Sequence, residues 1–256
     1  MRRTQQVLAS LERAGLLSHV DARVAPRRLW FLSEAGADLA VDAGGLERRP
    51  KVLEPRDAAG ALRAHTLAVN DAAICFVRAA RERGDEFGPL SWRHEVAHPL
   101  NTGRGTRRRT LFADALLTYL QPTETSIYMH QVFLELDRAT LSVDRLAAEL
   151  TRYADLYRVG GPDGELMWKR RYPTFPRVLC VLAGRSPEAL GRRRSVALHL
   201  LRRDPQIRRT PELQVLFCRL EDLVDEGPFA PIFRGLAVPG QALDWLGDPP
   251  EEAPTT

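Results

Sequence analysis

Lysine is almost missing from this chain: of 37 basic residues only Lys51 and Lys169 are lysine, and the rest are arginine. A guanidinium stays protonated near neutral pH, so nearly every positive charge here can bind an anion but cannot serve as a neutral base. Cysteine is scarce as well. Cys75, Cys180 and Cys218 lie far apart, each inside an apolar run, and without a CxxC pair they argue against a zinc cluster and for three buried thiols. No apolar run approaches the ~18 residues of a membrane span, and the opening stretch MRRTQQVLASLERAGLL is amphipathic, so a cytoplasmic protein with no membrane partner is expected. No GxSxG turn supports a serine hydrolase.

The charge that is present is unevenly spread, although the net is only +4. Residues 165–209 hold 12 basic and 3 acidic side chains, whereas residues 211–256 hold 2 and 9. A basic stretch followed by an acidic end suits a polyanion such as nucleic acid; a solvated arginine-rich surface is the plainer alternative.

Organisation follows from periodicity. Residues 3–14 put Val7, Leu8 and Leu11 on one helical face and stop at Gly15; LLSHV and RRLWFLS read as strands, and Ser33 caps a further helix. Helix, ribbon, helix resembles the second half of a winged helix-turn-helix, with Arg2, Arg3, Gln5 and Gln6 at the helix start and Arg27 and Arg28 at the ribbon as DNA-contact candidates. The two preceding helices are not in this sequence, which leaves open an upstream start, helices from another subunit, or a chance likeness. Residues 1–45 are thus expected to be a partial winged-helix DNA-binding domain, and 46–64, rich in glycine and proline, a linker.

Residues 65–235 read as an α/β (α+β) domain. A helix is expected over residues 66–83 with Leu67, Ala68, Ile74 and Val77 inward, then a strand around WRHEVAHPL and an arginine loop carrying Arg104, Arg107, Arg108 and Arg109. Strands at 111–119 and 126–137 form an antiparallel hairpin around QPTET. A capped helix with Leu146, Leu150 and Tyr153 buried, the apolar strand FPRVLCVLAG, a helix begun at Ser186 and the apolar strand LQVLFCRL follow. Such strands need cover on both faces. The acidic tail, residues 236–256, is expected to be disordered from Asp244 onward.

The hairpin carries the chemistry. Glu135 and Asp137 are two apart on a strand otherwise made of Phe133, Leu134 and Leu136, so they share a face and repel in an apolar setting. A divalent cation with hard oxygen ligands would answer both; so would arginines at the strand end, Arg138 among them. Asp114 on the partner strand joins Glu135 only if paired residue numbers add to an odd total, because a one-residue slip flips every side chain. A rival motif is His94-Glu95-Val96-Ala97-His98, which satisfies HExxH, but Pro99 and strand-like flanks oppose the helix a zinc protease needs. His19, His65, His130 and His199 have no metal-ligand spacing.

Glu95 in SWRHEV, Asp114 in FADA, then FLELDRAT leading into a helix that ends in RYADLY, resemble the replication-relaxation family of plasmid and mobile-element proteins, similar to MobC-type mobilisation relaxases. The resemblance covers roughly residues 3–235. It implies a restriction-endonuclease-like mixed sheet flanked by helices, the PD-(D/E)xK class, behind the partial winged helix. It implies Glu95, Asp114, Glu135 and Asp137 as the catalytic set, with Asp114 and Glu135 holding Mg2+ or Mn2+. The implied act is cleavage or nicking of double-stranded DNA at a replication or transfer origin, with Arg104 to Arg109 and the 169–209 arginines on the backbone. A homodimer and other replication or transfer proteins are the further partners expected. Two departures stand out: Ala113 replaces the motif proline, and Asp137 stands where the motif lysine would be. Glu149, four residues before Tyr153, occupies a second position where relatives place lysine. Arg138, Arg145 or Arg152 could supply charge but not a base. The alternative is a catalytically inactive DNA-binding regulator or accessory factor with the same fold.

Overall fold

The computed structural model describes residues 2–21, 28–43, 49–50, 52, 61–88, 91–100 and 109–249, with only the backbone for 2 and 61–63. The chain divides into two compact units, 1–67 and 68–256.

The first unit contains α1 (Arg2–Arg13), β1 (Leu17–Asp21), β2 (Arg28–Leu32) and α2 (Glu34–Asp42). Gly15 ends α1 at φ 73°, and β1 and β2 pair antiparallel from Leu17↔Leu32 to Asp21↔Arg28. Ser33 caps α2, its hydroxyl accepting the Gly36 N–H at 3.0 Å. Gly36 is required there, because a Cβ would lie 2.0 Å from the Leu16 carbonyl oxygen.

The second unit is a seven-stranded mixed sheet flanked by helices, so the α/β class holds. Helix α3 (Ala61–Arg83) is followed by β3 (Trp92–Pro99), β4 (Thr110–Pro122), β5 (Ile127–Asp137), α4 (Val143–Arg158), β6 (Arg177–Leu182), α5 (Pro187–Arg203), α6 (Pro205–Arg208), β7 (Val215–Arg219), α7 (Leu220–Glu226), β8 (Phe233–Gly235) and β9 (Ala242–Leu243). The strands lie in chain order across the sheet. β3, β4 and β5 run antiparallel, β5, β6 and β7 parallel, and β8 and β9 antiparallel again. The two parallel steps need crossovers, supplied by α4 and by α5 with α6.

Both faces of the sheet are covered. On one, Leu146, Leu150 and Tyr153 of α4 and Leu190, Ala197 and Leu201 of α5 pack on Phe133, Val178, Cys180 and Phe217. On the other, Ala68, Ala72, Phe76 and Ala80 of α3 pack on Leu117, Leu134, Leu179 and Cys218. Hence β6 and β7 are buried nearly throughout, as their unbroken apolar sequences require. All three cysteines are free and buried.

Two expectations need correction. Leu67 and Ile74 of α3 are exposed; the inward side is alanine-rich, with Ala79 as a further member and Phe76 its largest residue. Alanine carries little hydropathy but allows close approach, so the periodicity favoured the larger side chains on the wrong face. The tail is ordered through residue 249: Trp245 is 0% exposed, with its ring edge-on to Phe76 at 5.2 Å, and the Asp244 carboxylate accepts the N–H groups of Leu246 and Asp248, each at 2.9 Å. A buried tryptophan outweighs the polar composition around it. Residues 250–256 lie outside the described residues.

Candidate functional site

The hairpin pairs Ala115 with Leu134 and Leu117 with Val132, an odd total, so one further step sets Asp114 opposite Glu135. The ladder stops at Ala115, and the Asp114 carboxylate takes its place, accepting the Leu136 N–H at 2.8 Å. On the other side, His94↔Ala115 and Val96↔Ala113 set Glu95 opposite the same aspartate. The three acids therefore occupy one row across β3, β4 and β5.

That row is where the pleat fails. Trp92 and Leu117 belong to the α3-side core, whereas Val96 and Ala113, an even number of residues away on their strands, belong to the α4-side core. Strict alternation would keep each pair on one face. Glu95 accommodates the change with φ 49°, a left-handed backbone that is uncommon for a side-chain-bearing residue and more often seen at functional positions.

Glu135 faces α4. By accessible area it is half-buried, but protein surrounds its carboxylate, and that local packing governs its protonation. Burial first and the Asp114 charge second push its pKa well above the usual carboxylate range; the Tyr153 hydroxyl, which donates to Glu135 Oε1, pulls the other way. Glu149 and Arg152, also from α4, act on it with opposite signs. Arg152 itself donates to the Thr110 carbonyl. Tyr153 has no exposed surface, which excludes it from attacking a substrate and makes it a positioning residue.

Asp137 shares the face of Glu135 but has a different environment. Arg193 of α5 holds it bidentately, one bond measuring 3.0 Å, and Asp137 Oδ1 also accepts the Ala139 N–H at 3.1 Å. The two side chains are 11% and 12% exposed. Proximity in sequence points to Arg138, Arg145 and Arg152 as the arginines near the acids, but the partner of Asp137 is Arg193. It lies 56 positions away in sequence, and only the parallel pairing of β6 beside β5 brings α5, which follows β6, over the end of β5.

Glu95 is exposed on β3. The HExxH histidines diverge, since β3 is a strand: His94 Nε2 accepts the Trp92 indole N–H at 2.7 Å, while His98 is buried against Tyr172, Nε2 to hydroxyl 2.6 Å. Burial holds His98 down at about 4, so it is neutral at pH 7. Among the described residues no three His, Cys, Asp or Glu side chains converge as a metal-holding group. Asp114 and Glu135 are nonetheless a pair of hard oxygen donors, and Mg2+ takes one or two protein carboxylates and keeps its waters, so the pair fits that ion without a third protein ligand. Lys169, on the turn Met167–Arg170 beside Trp168, is the lysine among the described residues and is not among the charges acting on Glu135.

Arg3, Gln5 and Gln6 are exposed on α1, and Arg28 is exposed beside Asp21 at 3.8 Å. The Arg2 side chain, Arg27, Arg104, Arg107 and Arg108 lie outside the described residues; Arg109 is exposed, 3.5 Å from Asp155. The basic stretch is partly spent internally: Arg177 donates to Gln214 Oε1, Arg193 to Asp137, and Arg202 to the carbonyls of Gly235 and Leu236. Arg170, Arg185, Arg192, Arg203, Arg208 and Arg209 remain exposed.

The sequence profile of the family described as replication-relaxation matches residues 1–178. The chain belongs to the replication-relaxation family. The match takes in the whole carboxylate row of this replication-relaxation protein and ends within β6, leaving β7 to β9 outside it. No curated protein and no solved structure matches the chain. Among the described residues no helix is long and apolar enough to cross a membrane.

Proposed function

We propose that this replication-relaxation protein binds double-stranded DNA of a plasmid or other mobile element and cleaves or nicks it at a replication or transfer origin. The observation that carries this reading is the juxtaposition of Glu135 and Asp114, whose mutual repulsion beside an apolar core a divalent cation would relieve. Asp114 and Glu135 would hold Mg2+ or Mn2+, and Glu95, opposite Asp114, would approach from β3. The ion, when bound, would supply an activated water and neutralise charge on the phosphate. Tyr153 fixes the Glu135 carboxylate and is itself too buried to attack; in this reading water attacks, giving its proton to solvent, and the P–O bond to the leaving strand breaks as the new P–O bond forms. Arg152 offers fixed positive charge near the acids but no base. Exposed Arg3, Gln5, Gln6 and Arg28 would meet DNA as a winged helix does, and the PD-(D/E)xK likeness of the core, shared with MobC-type relaxases, belongs to the same reading.

A second reading, a DNA-binding accessory factor without catalysis, draws on one observation: the residue at the motif-lysine position is Asp137, locked by Arg193. Incubation of supercoiled DNA with Mg2+ and the protein, beside Asp114→Ala and Glu135→Ala, separates the two. Nicking by the unaltered protein that both variants lose supports the enzyme. Equal DNA binding with no cleavage in all three supports the accessory factor.

A further inference from the structure

Beyond the family-matched segment, α5, the end of β7, α7 and β8 line an open cleft of about 310 Å³. Three guanidinium groups line it, Arg194, Arg219 and Arg234, with Asp222 and Glu226. Their states differ. Arg219 is engaged bidentately by Asp222, three residues on, with Nε to Oδ2 at 2.7 Å. Arg234 donates to the carbonyls of Phe233 at 2.9 Å and Pro231 at 3.3 Å. Arg194 is half-buried, and no described residue accepts a hydrogen bond from it. Burial and the neighbouring Arg234 and Arg219 push its pKa down, against the pull of Asp222. A guanidinium cannot shed its proton at pH 7, so this unfavourable setting is relieved by an anion rather than by titration.

We propose that this cleft binds the phosphates of a small, nucleotide-sized polyphosphate, with Arg194 as the principal ligand. Asp222 opposes this only in part, because its charge is largely compensated by Arg219. The exposed Glu226 does oppose it and bounds the site on one side. Phosphate is favoured over carboxylate because the uncommitted fork of Arg194 and the remaining N–H groups of Arg234 and Arg219 come from three different elements and suit a group with oxygens on every side. A small ligand is favoured over the DNA backbone because the arginines line a concavity at the low end of small-molecule sites, roughly 300–1,000 Å³. None of these residues takes part in the carboxylate row, so the site stands or falls independently of nuclease activity.

The test uses the full chain in EDTA, with inorganic pyrophosphate as the probe and calorimetry and thermal unfolding as readouts. Pyrophosphate should bind and raise Tm, while sodium acetate at matched ionic strength should not. Arg194→Gln should weaken pyrophosphate binding about tenfold or more, as loss of a charge-assisted donor does. Without ligand the same variant should keep or raise Tm, since it removes a like charge, whereas a merely structural arginine would lower it. Glu226→Gln should tighten binding, and Arg192→Gln, on the same helix but outside the lining, should leave it unchanged. The proposal is overturned if pyrophosphate does not bind, if Arg194→Gln binds it as well as the unaltered protein, or if acetate is equally effective. Displacement of pyrophosphate by a duplex oligonucleotide would overturn the small-ligand assignment in favour of backbone phosphate.

Discussion

Asp114 accepts the Leu136 N–H at 2.8 Å, at the position where the β4–β5 ladder would otherwise have continued. One carboxylate thus closes a gap in the sheet and stands beside Glu135. The same side chain is structural and a candidate ligand, and substitutions must separate the two roles.

Asp114→Ala should destabilise the protein by about 1–3 kcal/mol, because the Leu136 N–H loses its acceptor in a half-buried setting. Asp114→Asn, whose side-chain carbonyl can still accept, should recover most of that while remaining deficient in any Mg2+-dependent property. Urea denaturation in EDTA reads the first effect, and the Mg2+-induced rise in Tm reads the second.

Glu135 should make stability fall as pH rises. Its folded pKa is raised, so the folded state binds the proton more tightly than the unfolded one. The associated stability is complete below the unfolded value, about 4.3, and is lost as pH climbs through the folded value. Glu135→Gln, which cannot ionise, should be more stable than the unaltered protein at pH 8 in EDTA, with the difference vanishing near about pH 4. A variant less stable at every pH would show that Glu135 is held as a paired anion. Saturating Mg2+ should stabilise the unaltered protein at pH 8 and not the variant.

Tyr153→Phe removes the hydroxyl that donates to Glu135 and leaves a buried acceptor, at a cost of about 1–3 kcal/mol. Because the hydroxyl lowers the Glu135 pKa, the variant should shift the pH dependence of stability further upward. An unchanged pH profile would deny Tyr153 its positioning role.

Asp137→Ala should cost about 3–5 kcal/mol by stranding Arg193, whereas Asp137→Leu combined with Arg193→Met should recover most of it. A double-mutant cycle by chemical denaturation measures the coupling. Additive single effects would show that the pair contributes nothing as a pair.

Trp245→Ala should cost about 3–5 kcal/mol, as loss of a fully buried aromatic does. A disordered tail would tolerate the change without effect on the denaturation midpoint.

Much of the fold was legible because its elements announce themselves locally. Ser33, Ser142 and Ser186 cap α2, α4 and α5, and the unbroken apolar runs of β6 and β7 mark strands covered on both sides. The alanine face of α3 was not legible, since small residues give a weak hydropathy signal against Leu67 and Ile74. Nor was the ordered part of the tail, where one tryptophan decides against twelve mostly polar or small neighbours.

By itself the sequence determined the family, the α/β class and the face shared by Glu135 and Asp137, because these follow from residue identity and the two-residue period of a strand. Tertiary structure alone decided that Asp114 turns toward Glu135, that Arg193 rather than a nearby arginine holds Asp137, and that three arginines from separate elements line one cleft. Register, crossovers and helix placement bring together residues as distant in sequence as Asp137 and Arg193, 56 positions apart, and no local pattern encodes such contacts.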